Sequence, residues 1–481
     1  MEQYAVSLVI VVYRTKPWLR SALQSALGQT MADMELVIVN NDPSPEINAI
    51  IRRETKNRPN VTYQRNEENV GGAEAVNQGI RLARGKYLFF MDSDDLLPKD
   101  AVKILYEKAE ETGSQMVIGR VKDIIRGKVT EHKYHGDWVT WEREIAVEDV
   151  RQAPALAAAP FYWGRLYLRS FLLERDVFME PGLVNADRLF TCKALKAARG
   201  IAVSTRQVYF WRRFAGKAET RTVTQRRAEQ ENFLDRLRMT RKVDALFAEP
   251  GYEALGSYVQ LTGMARLLIL AKDAAEDEAF FPLYWREMSN YLNQIPLEAI
   301  AGCVYLTHRQ KLLAYCIQRG EEQSFRRAAL GQLHGKTTQR GGEIFYEYEG
   351  LQLPPGIDRQ SCFQLKGFSA RCLWAGRGGL RLELSVTPWE DCQPEFLAVY
   401  VMDWRRRERL RLPVLEERRI GEGNIAFEIE LGAAERRSLG KGGLYYLSVA
   451  YLVDGRVSRS RVMGKRGTLL LMNLLGKMGI H

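Results

Sequence analysis

Up to about residue 120, the chain alternates between short strand-like runs and segments that carry apolar side chains every three or four residues. The strand-like runs cover 7–12, 36–39, 61–63, 87–91 and 116–119. Short apolar runs are typical of strands buried on both faces, and the spacing between them is that of amphipathic helices. This order predicts an α/β domain with a parallel, doubly wound sheet and a ligand crevice at the carboxyl ends of its strands.

The pattern changes twice in the second half of the chain. Amphipathic helical segments begin near Thr224, and a polar run ending in Gly341-Gly342 interrupts the chain. Beyond this break, apolar and polar residues alternate, as in 380–384 and 445–449, which is typical of antiparallel strands with one buried face. We therefore predict an α/β domain at 1–223, a helical linker or bundle at 224–337, an antiparallel β-sandwich at 338–466 and a short apolar tail at 467–481.

Composition narrows the class of protein. The chain has 481 residues, 46% of them hydrophobic and 27% charged, so it is globular and long enough for two or three domains. Its six cysteines lack zinc-like spacing, which favours a reduced, cytoplasmic compartment. The first residues lack a basic segment, so they do not resemble a signal peptide, and we expect no membrane-spanning helix. The apolar tail is too short to span a bilayer, and it either packs on a neighbouring subunit or contacts a membrane surface.

The formal net charge of +11 favours an anionic partner. We do not expect nucleic acid to be this partner, because the sequence contains no recognition helix, zinc finger or aromatic RNA-binding motif. A sugar nucleotide, a polyanionic polymer and an anionic lipid surface remain compatible with the charge.

Residues 69–95 contain the largest concentration of candidate functional residues. Gly71-Gly72 allows a tight turn that approaches a ligand closely, and a helical segment follows it. The buried run 87–91 then leads directly into Asp92, Asp94 and Asp95. Carboxylates this close repel one another unless a cation lies among them. At the carboxyl end of a central strand, a divalent metal that carries phosphates is the most suitable cation.

The order of these residues resembles the family 2 glycosyltransferases with the GT-A fold. The matching residues are Asn69 with the glycine pair, Asn77, Gly79, Gly85, the apolar strand and Asp92-Ser93-Asp94. In that family the Asp-x-Asp motif holds a metal ion and the sugar nucleotide. The resemblance thus implies Asp92 and Asp94 as ligands of Mn²⁺ or Mg²⁺, and Asn69, Asp92 and Ser93 as contacts of a UDP-sugar.

Two earlier strand ends carry the same resemblance. Val12 and Tyr13 stand where the family places the segment that flanks uracil, and Asn41 stands where a side-chain oxygen accepts the uracil imide N–H. The chain departs from the family at Val11, which replaces a proline, and at Val76, which replaces an arginine. The alternative roles are structural: Tyr13 would cover the core, and Asn40, more readily than Asn41, would form an Asx-turn.

The resemblance continues through Tyr162–Tyr167 to Asn185-Ala186-Asp187, where the family has Gly-Glu-Asp. It implies that Asp187 is the catalytic base, since an inverting transfer needs a base within reach of the acceptor hydroxyl. The alternative is that Asp187 caps the helix that follows.

The segment 208–212 resembles the aromatic strand that ends in Tyr-Arg in the same family. Arg212, or Arg213 beside it, would clamp the diphosphate through a bidentate contact, with Lys217 and Arg221 on the next loop as secondary candidates. The alternative is a basic, solvated strand end.

Together these features imply a metal-dependent inverting glycosyltransferase that moves a sugar, with N-acetylglucosamine favoured, from a UDP-sugar to a cell-surface polymer such as wall teichoic acid. The architecture resembles teichoic acid enzymes with C-terminal oligomerisation modules, so we expect a homo-oligomer formed through the C-terminal region. We expect a cytoplasmic location, with peripheral contact at the inner face of the plasma membrane left open. The alternatives are an exopolysaccharide or capsule glycosyltransferase, and a non-catalytic sugar- or polymer-binding protein with a degenerate transferase domain.

Overall fold

The computed structural model of the protein divides into two compact units, Met1–Leu292 and Asn293–His481. The division thus falls within the helical segment that the sequence pattern places at 224–337. The residues that the structure describes are 3–132, 141, 144–159, 161–183, 185–213, 229–303, 306–340, 343–361, 367–376, 379–387, 395–403, 408–412, 416–420, 424–432, 444–453, 456–461 and 471–473.

The strands of the first unit form one sheet, with helices between them. The strands are β1 (Tyr4–Val12), β2 (Met34–Asn40), β3 (Val61–Arg65), β4 (Gly85–Asp92), β5 (Met116–Ile125), β6 (Lys128–Glu131), β7 (Ile145–Val147), β8 (Arg165–Leu168) and β9 (Ile201–Arg213). The helices are α1 (Lys16–Leu27), α2 (Pro45–Glu54), α3 (Gly72–Leu82), α4 (Ala101–Thr112), α5 (Arg169–Glu174), α6 (Ala186–Ala197), α7 (Gln230–Leu246), α8 (Glu253–Leu268), α9 (Ala271–Glu276) and α10 (Phe281–Leu292).

The sheet is mixed rather than wholly parallel, which corrects the sequence-based expectation. Its order is β3-β2-β1-β4-β8-β5-β9-β7, with β6 paired to β5. The pairs β1–β2, β1–β4, β2–β3 and β5–β9 are parallel, but β8 runs antiparallel between β4 and β5. Only four residues form β8, and they include a polar arginine, so no long apolar run marked this strand in the sequence.

The parallel half of the sheet brings the predicted strand ends together. Val11 on β1 pairs with Asp92 on β4, and Val12 pairs with Asn40 on β2, so the three carboxyl ends lie at one level. Helix α3 packs closely on this sheet, since a Cβ at Gly79 would lie 2.4 Å from a methyl carbon of Val9. The site region is therefore held on a buried, rigid frame.

Helices α7 to α10 belong to the first unit, where α7 packs against α6 and α8. The helical stretch Glu253–Glu276 is long and apolar enough to cross a membrane by length and composition alone. However, 67% of its most apolar window is buried within the structure, as is usual for a core helix.

The second unit combines three helices with antiparallel sheets. The helices are α11 (Leu297–Gly302), α12 (His308–Gln318) and α13 (Glu322–Ala329). The strands are β10 (Gly335–Arg340), β11 (Glu343–Tyr348), β12 (Arg359–Ser361), β13 (Gly367–Gly376), β14 (Gly379–Thr387), β15 (Glu395–Asp403), β16 (Glu408–Leu412), β17 (Glu416–Ile420), β18 (Asn424–Gly432), β19 (Leu444–Val453), β20 (Arg456–Arg461) and β21 (Leu471–Asn473).

These strands form three sheets, ordered β10-β11-β12, β13-β14-β18-β17 and β16-β15-β19-β20, with β21 paired to β19. The predicted antiparallel character is confirmed, whereas the packing of the sheets as one sandwich stays a prediction. The tail segment contributes β21, and its other residues lie outside the described part of the chain.

A buried histidine makes the second unit sensitive to acid. His308 is 4% exposed, and its ring stacks on Tyr346 at 3.6 Å between centroids. Its Nδ1–H donates to the carbonyl oxygen of Ile357 at 2.9 Å, and its Nε2 lies 3.0 Å from the hydroxyl of Tyr348. Burial lowers the pKa of His308 to about 4, and the nearby charge of Lys311 acts in the same direction.

We expect the free energy of unfolding of this unit to fall as the pH drops from about 6.5 toward 4, by up to about 3 kcal/mol. In that window the unfolded chain binds a proton that the folded unit excludes, so the stability is complete above pH 6.5 and is lost below it. His308→Gln should flatten this part of the profile in chemical denaturation at several pH values. The exposed His334 supplies the matched control, His334→Gln, which should keep the wild-type slope. Equal slopes in both variants would contradict the assignment.

Candidate functional site

The acidic turn after β4 is held in place by two tyrosines and by the end of β9. The hydroxyl of Tyr162 donates to Asp92 Oδ1 at 2.5 Å, and the hydroxyl of Tyr209 donates to Asp95 Oδ2 at 2.7 Å. The backbone N–H of Arg212 donates to the other oxygen, Asp95 Oδ1, at 2.6 Å. Because both oxygens of the buried Asp95 are engaged within the protein, its role is to fix the turn.

The same turn fits a divalent cation. Ligand oxygens of Asp92, Asp94 and Asp95 all lie within 4.8 Å of one another. Burial, followed by the charge of Asp94, raises the pKa of Asp92 to about 7, and burial also raises the pKa of Asp94. Crowded, desolvated carboxylates are the hard oxygen donors that Mg²⁺ and Mn²⁺ bind, and a cation would relieve their repulsion. Asp92 and Asp94 each retain a carboxylate oxygen that could bind a cation, whereas both oxygens of Asp95 accept hydrogen bonds within the protein.

Arg212 contacts the acidic turn. Its Nη1 donates to the backbone oxygen of Asp94 at 2.5 Å, and its guanidinium lies 4.6 Å from the ring centre of Trp18. Its neighbour Arg213 instead pairs with Asp123 on β5 at 3.1 Å. The geometry thus places Arg212, and not Arg213, at the acidic turn, while diphosphate binding itself stays a prediction. Lys217 and Arg221 lie outside the described residues.

The ends of β1 and β2 form a second cluster beside the turn. Tyr13 carries the guanidinium of Arg14 at 5.1 Å from its ring centre, and Arg14 has a left-handed backbone with φ of 53°. The N–H of Arg14 donates to Asp42 Oδ2 at 2.9 Å. Non-glycine residues in this conformation cost about 1–3 kcal/mol and concentrate at ligand sites, so the bend after Tyr13 is a feature of the crevice.

Asn41 organises the loops around the same crevice. It is 1% exposed, and its Oδ1 accepts from the N–H of Val70 at 3.0 Å and from Asn66 Nδ2 at 3.1 Å. Its Nδ2 donates to Asn69 Oδ1 at 2.8 Å. Asn41 and Asn69 are therefore joined by a side-chain hydrogen bond, and contact with uracil stays a prediction for both.

Val12 and Ser93 lie at the ends of β1 and β4. The Val12 side chain is fully buried, and its carbonyl oxygen accepts from the N–H of Asn41 at 2.9 Å. The hydroxyls of Ser93 and Thr15 lie 2.8 Å apart and connect the acidic turn to the end of β1. Through these hydrogen bonds, both residues connect neighbouring strand ends, and their contacts with a nucleotide stay predictions.

Asp187 lies in the first turn of α6, and its charge acts on a carboxylate of the acidic turn. Its Oδ1 accepts from the N–H of Arg188 at 2.9 Å, whereas Asn185 holds the N-cap position. Burial raises the pKa of Asp187 to about 6, partly offset by this hydrogen bond and by the charges of Arg236 and Arg266. The charge of Asp187 in turn raises the pKa of Asp92. The carboxylate thus accepts from an N–H in the first helical turn, and it lies close enough to the acidic turn for its charge to act on Asp92.

Two features of the site were not predicted from the sequence. The first is the pair Tyr162 and Tyr209, whose positions in aromatic segments were visible but whose bonds to Asp92 and Asp95 were not. The second is a clasp in which Asn77 Nδ2 donates to the oxygen of Met179 at 2.8 Å, while Asn77 Oδ1 accepts from the N–H of Met179 at 2.9 Å. This clasp ties α3, beside the glycine turn, to the segment that leads to Asp187.

Residues 7–174 match the sequence model of glycosyl transferase family 2. This segment is similar to the family 2 glycosyltransferases. The matched range includes the acidic turn, the loops of Asn41 and Asn69, and Tyr162. Asp187 and β9 lie beyond it, so their contribution to the site rests on the geometry described above.

Three relatives from bacteria show similarity over parts of the chain. The putative glycosyltransferase EpsH of Bacillus subtilis is 29% identical over 219 residues, which cover 44% of this chain and 62% of EpsH. The poly(ribitol-phosphate) beta-glucosyltransferase of Bacillus spizizenii is 27% identical over 210 residues, covering 43% of this chain and 32% of the relative. TarP of Staphylococcus aureus, a poly(ribitol-phosphate) beta-N-acetylglucosaminyltransferase, is 32% identical over 121 residues, covering 24% and 36%. The chain spans less than two thirds of each relative.

Solved structures support the fold over a longer range. The structure of S. aureus TarS covers 95% of this chain and 77% of TarS, with a TM-score of 0.56 and 14% identity. TarS 1–349 in complex with UDP-GlcNAc covers 72% of this chain and 97% of that structure, with a TM-score of 0.56 and 16% identity. The likeness establishes a GT-A-like α/β domain with a mixed sheet in the first unit.

Proposed function

We propose that the protein is a metal-dependent inverting glycosyltransferase that moves a sugar from a UDP-sugar to a hydroxyl of a cell-surface polymer. The observation that carries this proposal is the carboxylate cluster Asp92-Asp94-Asp95 at the end of β4, together with Asp187, whose charge acts on Asp92. A family 2 transferase domain needs this combination, a site for a metal and diphosphate beside a separate carboxylate base. A protein that only binds sugar or polymer has no use for the base.

The donor would lie over the carboxyl ends of β1, β2 and β4. Asp92 and Asp94 would hold Mn²⁺ or Mg²⁺, which when bound neutralises the negative charge that develops on the departing diphosphate. Arg212 lies beside these ligands and supplies a fixed positive charge. Tyr13 and the loops of Asn41 and Asn69 would enclose the nucleoside.

Asp187 would accept the proton of the attacking hydroxyl. A carboxylate with a pKa of about 6 is ionised at neutral pH, yet it is a stronger base than a carboxylate exposed to water. Its hydrogen bond with the N–H of Arg188 fixes one oxygen and leaves the other for the acceptor. The acceptor hydroxyl would attack the anomeric carbon from the side opposite the diphosphate, which inverts the configuration.

The relatives guide the choice of donor and acceptor. Two of them are described as poly(ribitol-phosphate) glycosyltransferases, and TarS 1–349 was solved with UDP-GlcNAc. We therefore propose N-acetylglucosamine as the sugar and a phosphate-linked wall polymer, such as wall teichoic acid, as the acceptor. The net charge of +11 suits such a polyanion. A cytoplasmic location, peripheral membrane contact and oligomerisation through the second unit belong to the same proposal.

The proposal is tested by incubating the protein with UDP-GlcNAc, Mn²⁺ and poly(ribitol phosphate), and measuring released UDP together with sugar on the polymer. UDP-glucose and UDP-galactose compare the donors, and a chelator tests the metal. We expect transfer with at least one UDP-sugar, abolished by the chelator. Tight binding of UDP-sugars without any UDP release would support the binding-protein alternative instead.

A further inference from the structure

A large polar groove lies at the end of the sheet opposite the candidate active site. Its volume is about 1200 Å³, and it is lined by the residues before β5 and β9, by β7 and by the last turn of α6. We call it the amino-edge groove. Its lining contains five cations and three carboxylates; the cations are Arg151, Arg175, Lys193, Lys196 and Arg199.

Two of the five cations form ion pairs with carboxylates of the protein. Arg151 pairs with Asp149 at 2.7 Å. Lys196 pairs with Glu249 at 2.8 Å and donates to the oxygen of Leu246 at 2.6 Å, which joins α6 to the end of α7. These contacts account for both residues as structural groups.

The other three cations are not accounted for in this way. Within the described part of the chain, the side chains of Arg175, Lys193 and Arg199 form no ion pair or hydrogen bond. They come from three different places: the end of α5, the middle of α6 and the loop before β9. The charge of Arg199 acts on Asp149, and Glu148 and Asp176 also line the groove, so its five cations exceed its three carboxylates by two. A concave surface with this excess of positive charge favours an anion, and guanidinium and ammonium groups both suit phosphate.

The size of the groove favours an extended ligand. Pockets for small ligands have volumes of about 300–1000 Å³, and this groove exceeds that range, with polar and apolar surface in nearly equal parts. A ligand that carries phosphates at intervals could engage the three cations together, whereas a single phosphate could reach only part of them.

The groove lies within reach of the candidate base along α6. Asp187 lies in the first turn of this helix and Lys193 six residues later, a rise of about 9 Å. A second measure follows β5, where Met116 pairs with Ile201 at the groove and Val121 pairs with Tyr209 at the acidic turn, a span of about 17 Å. A polymer with its attacking hydroxyl at Asp187 needs more than one repeating unit to reach the groove.

We propose that the amino-edge groove is a subsite for the extended part of a phosphodiester-linked acceptor polymer. This inference rests on the proposed function for the identity of the acceptor, but the binding itself does not require catalysis. The groove would retain long chains near the active site and contribute nothing to the transfer of sugar onto a single repeating unit.

The test compares Arg175→Ala/Lys193→Ala/Arg199→Ala with a control of equal net charge, Lys56→Ala/Arg58→Ala/Lys99→Ala, in the full-length protein. The three control residues are exposed. Anisotropy of a labelled poly(ribitol phosphate) oligomer should show at least about fivefold weaker binding for the groove variant only, with a weaker dependence on salt. The charge-preserving variant Arg175→Lys/Lys193→Arg/Arg199→Lys should restore binding.

Kinetics then separate this inference from the proposed function. For the groove variant, KM should rise at least about fivefold for the long oligomer, while KM for a single ribitol phosphate unit and the affinity for UDP-GlcNAc stay at wild-type values. Equal polymer binding by both triple variants would overturn the proposal, as would loss of binding to phosphatidylglycerol vesicles with polymer binding unchanged. If the wild-type protein transfers no sugar, the proposed function fails, and the anisotropy measurement still decides the groove.

Discussion

Asp187→Asn should reduce sugar transfer by at least about 100-fold while the affinity for the UDP-sugar stays close to wild type. General base catalysis typically contributes about 10²–10⁴ in rate, and an amide cannot accept the proton of the acceptor hydroxyl. Donor binding does not require this proton transfer. Single-turnover transfer with saturating UDP-sugar, together with calorimetry of UDP binding, measures the two effects separately.

The same variant should unfold at an unchanged or higher temperature. Asparagine keeps an oxygen that can accept from the N–H of Arg188 in the first turn of α6. In addition, a pKa raised to about 6 means that burial disfavours the ionised carboxylate at neutral pH, and the neutral amide avoids this cost. Higher stability with lower activity is typical of a catalytic group, because function retains an unfavourable charge.

Glu180→Gln supplies the matched control. Glu180 is the next carboxylate in the segment before α6, and its side chain forms an ion pair with Lys242. This pairing leaves it poorly placed to accept a proton, so its variant should keep transfer within a few-fold of wild type. Full activity of Asp187→Asn with loss of activity in Glu180→Gln would move the base to Glu180. A large fall in melting temperature of Asp187→Asn would favour a structural role.

Local pattern was enough to predict the first four strands and the alignment of their carboxyl ends. The apolar runs of β1, β2 and β4 are buried in the sheet, and parallel pairing then requires Val12, Asn40 and Asp92 to lie at one level. Helix α2 also begins as expected, with Ser44 Oγ accepting from the N–H of Ile47 at 3.3 Å. In these cases, neighbours in sequence determine the structure, so periodicity and capping carry the information.

Features that depend on distant pairs were not predictable in this way. Asn77 and Met179 are 102 residues apart, and no spacing rule connects them. The antiparallel insertion of β8 depends on the path of the chain after β5. The distinction among the three aspartates likewise depends on Tyr162, in the bend before β8, and on Tyr209, on β9. Residue types predicted a site, and long-range contacts determine which carboxylate is engaged within the protein.

Because the aspartates differ in their hydrogen bonds, we expect a second large effect when Asp94→Asn is compared with Asp95→Ala. Asp94 accepts no side-chain hydrogen bond from another residue in the described ranges, and it contributes to the carboxylate cluster that would hold the metal. We expect Asp94→Asn to fold normally, to weaken Mn²⁺-dependent UDP binding by about 10- to 100-fold, and to lower transfer to a similar or greater extent.

Asp95→Ala should show the opposite pattern, with its main cost in stability. It removes the acceptor of the Tyr209 hydroxyl and of the Arg212 N–H in a buried position, and each unsatisfied group costs about 1–3 kcal/mol. Chemical denaturation and calorimetry with Mn²⁺ and UDP therefore distinguish the two aspartates. Unchanged metal-dependent UDP affinity in Asp94→Asn, with affinity lost in a folded Asp95→Ala, would reverse the roles. Asp95 would then be a metal ligand, and the Tyr209 contact would serve to orient it.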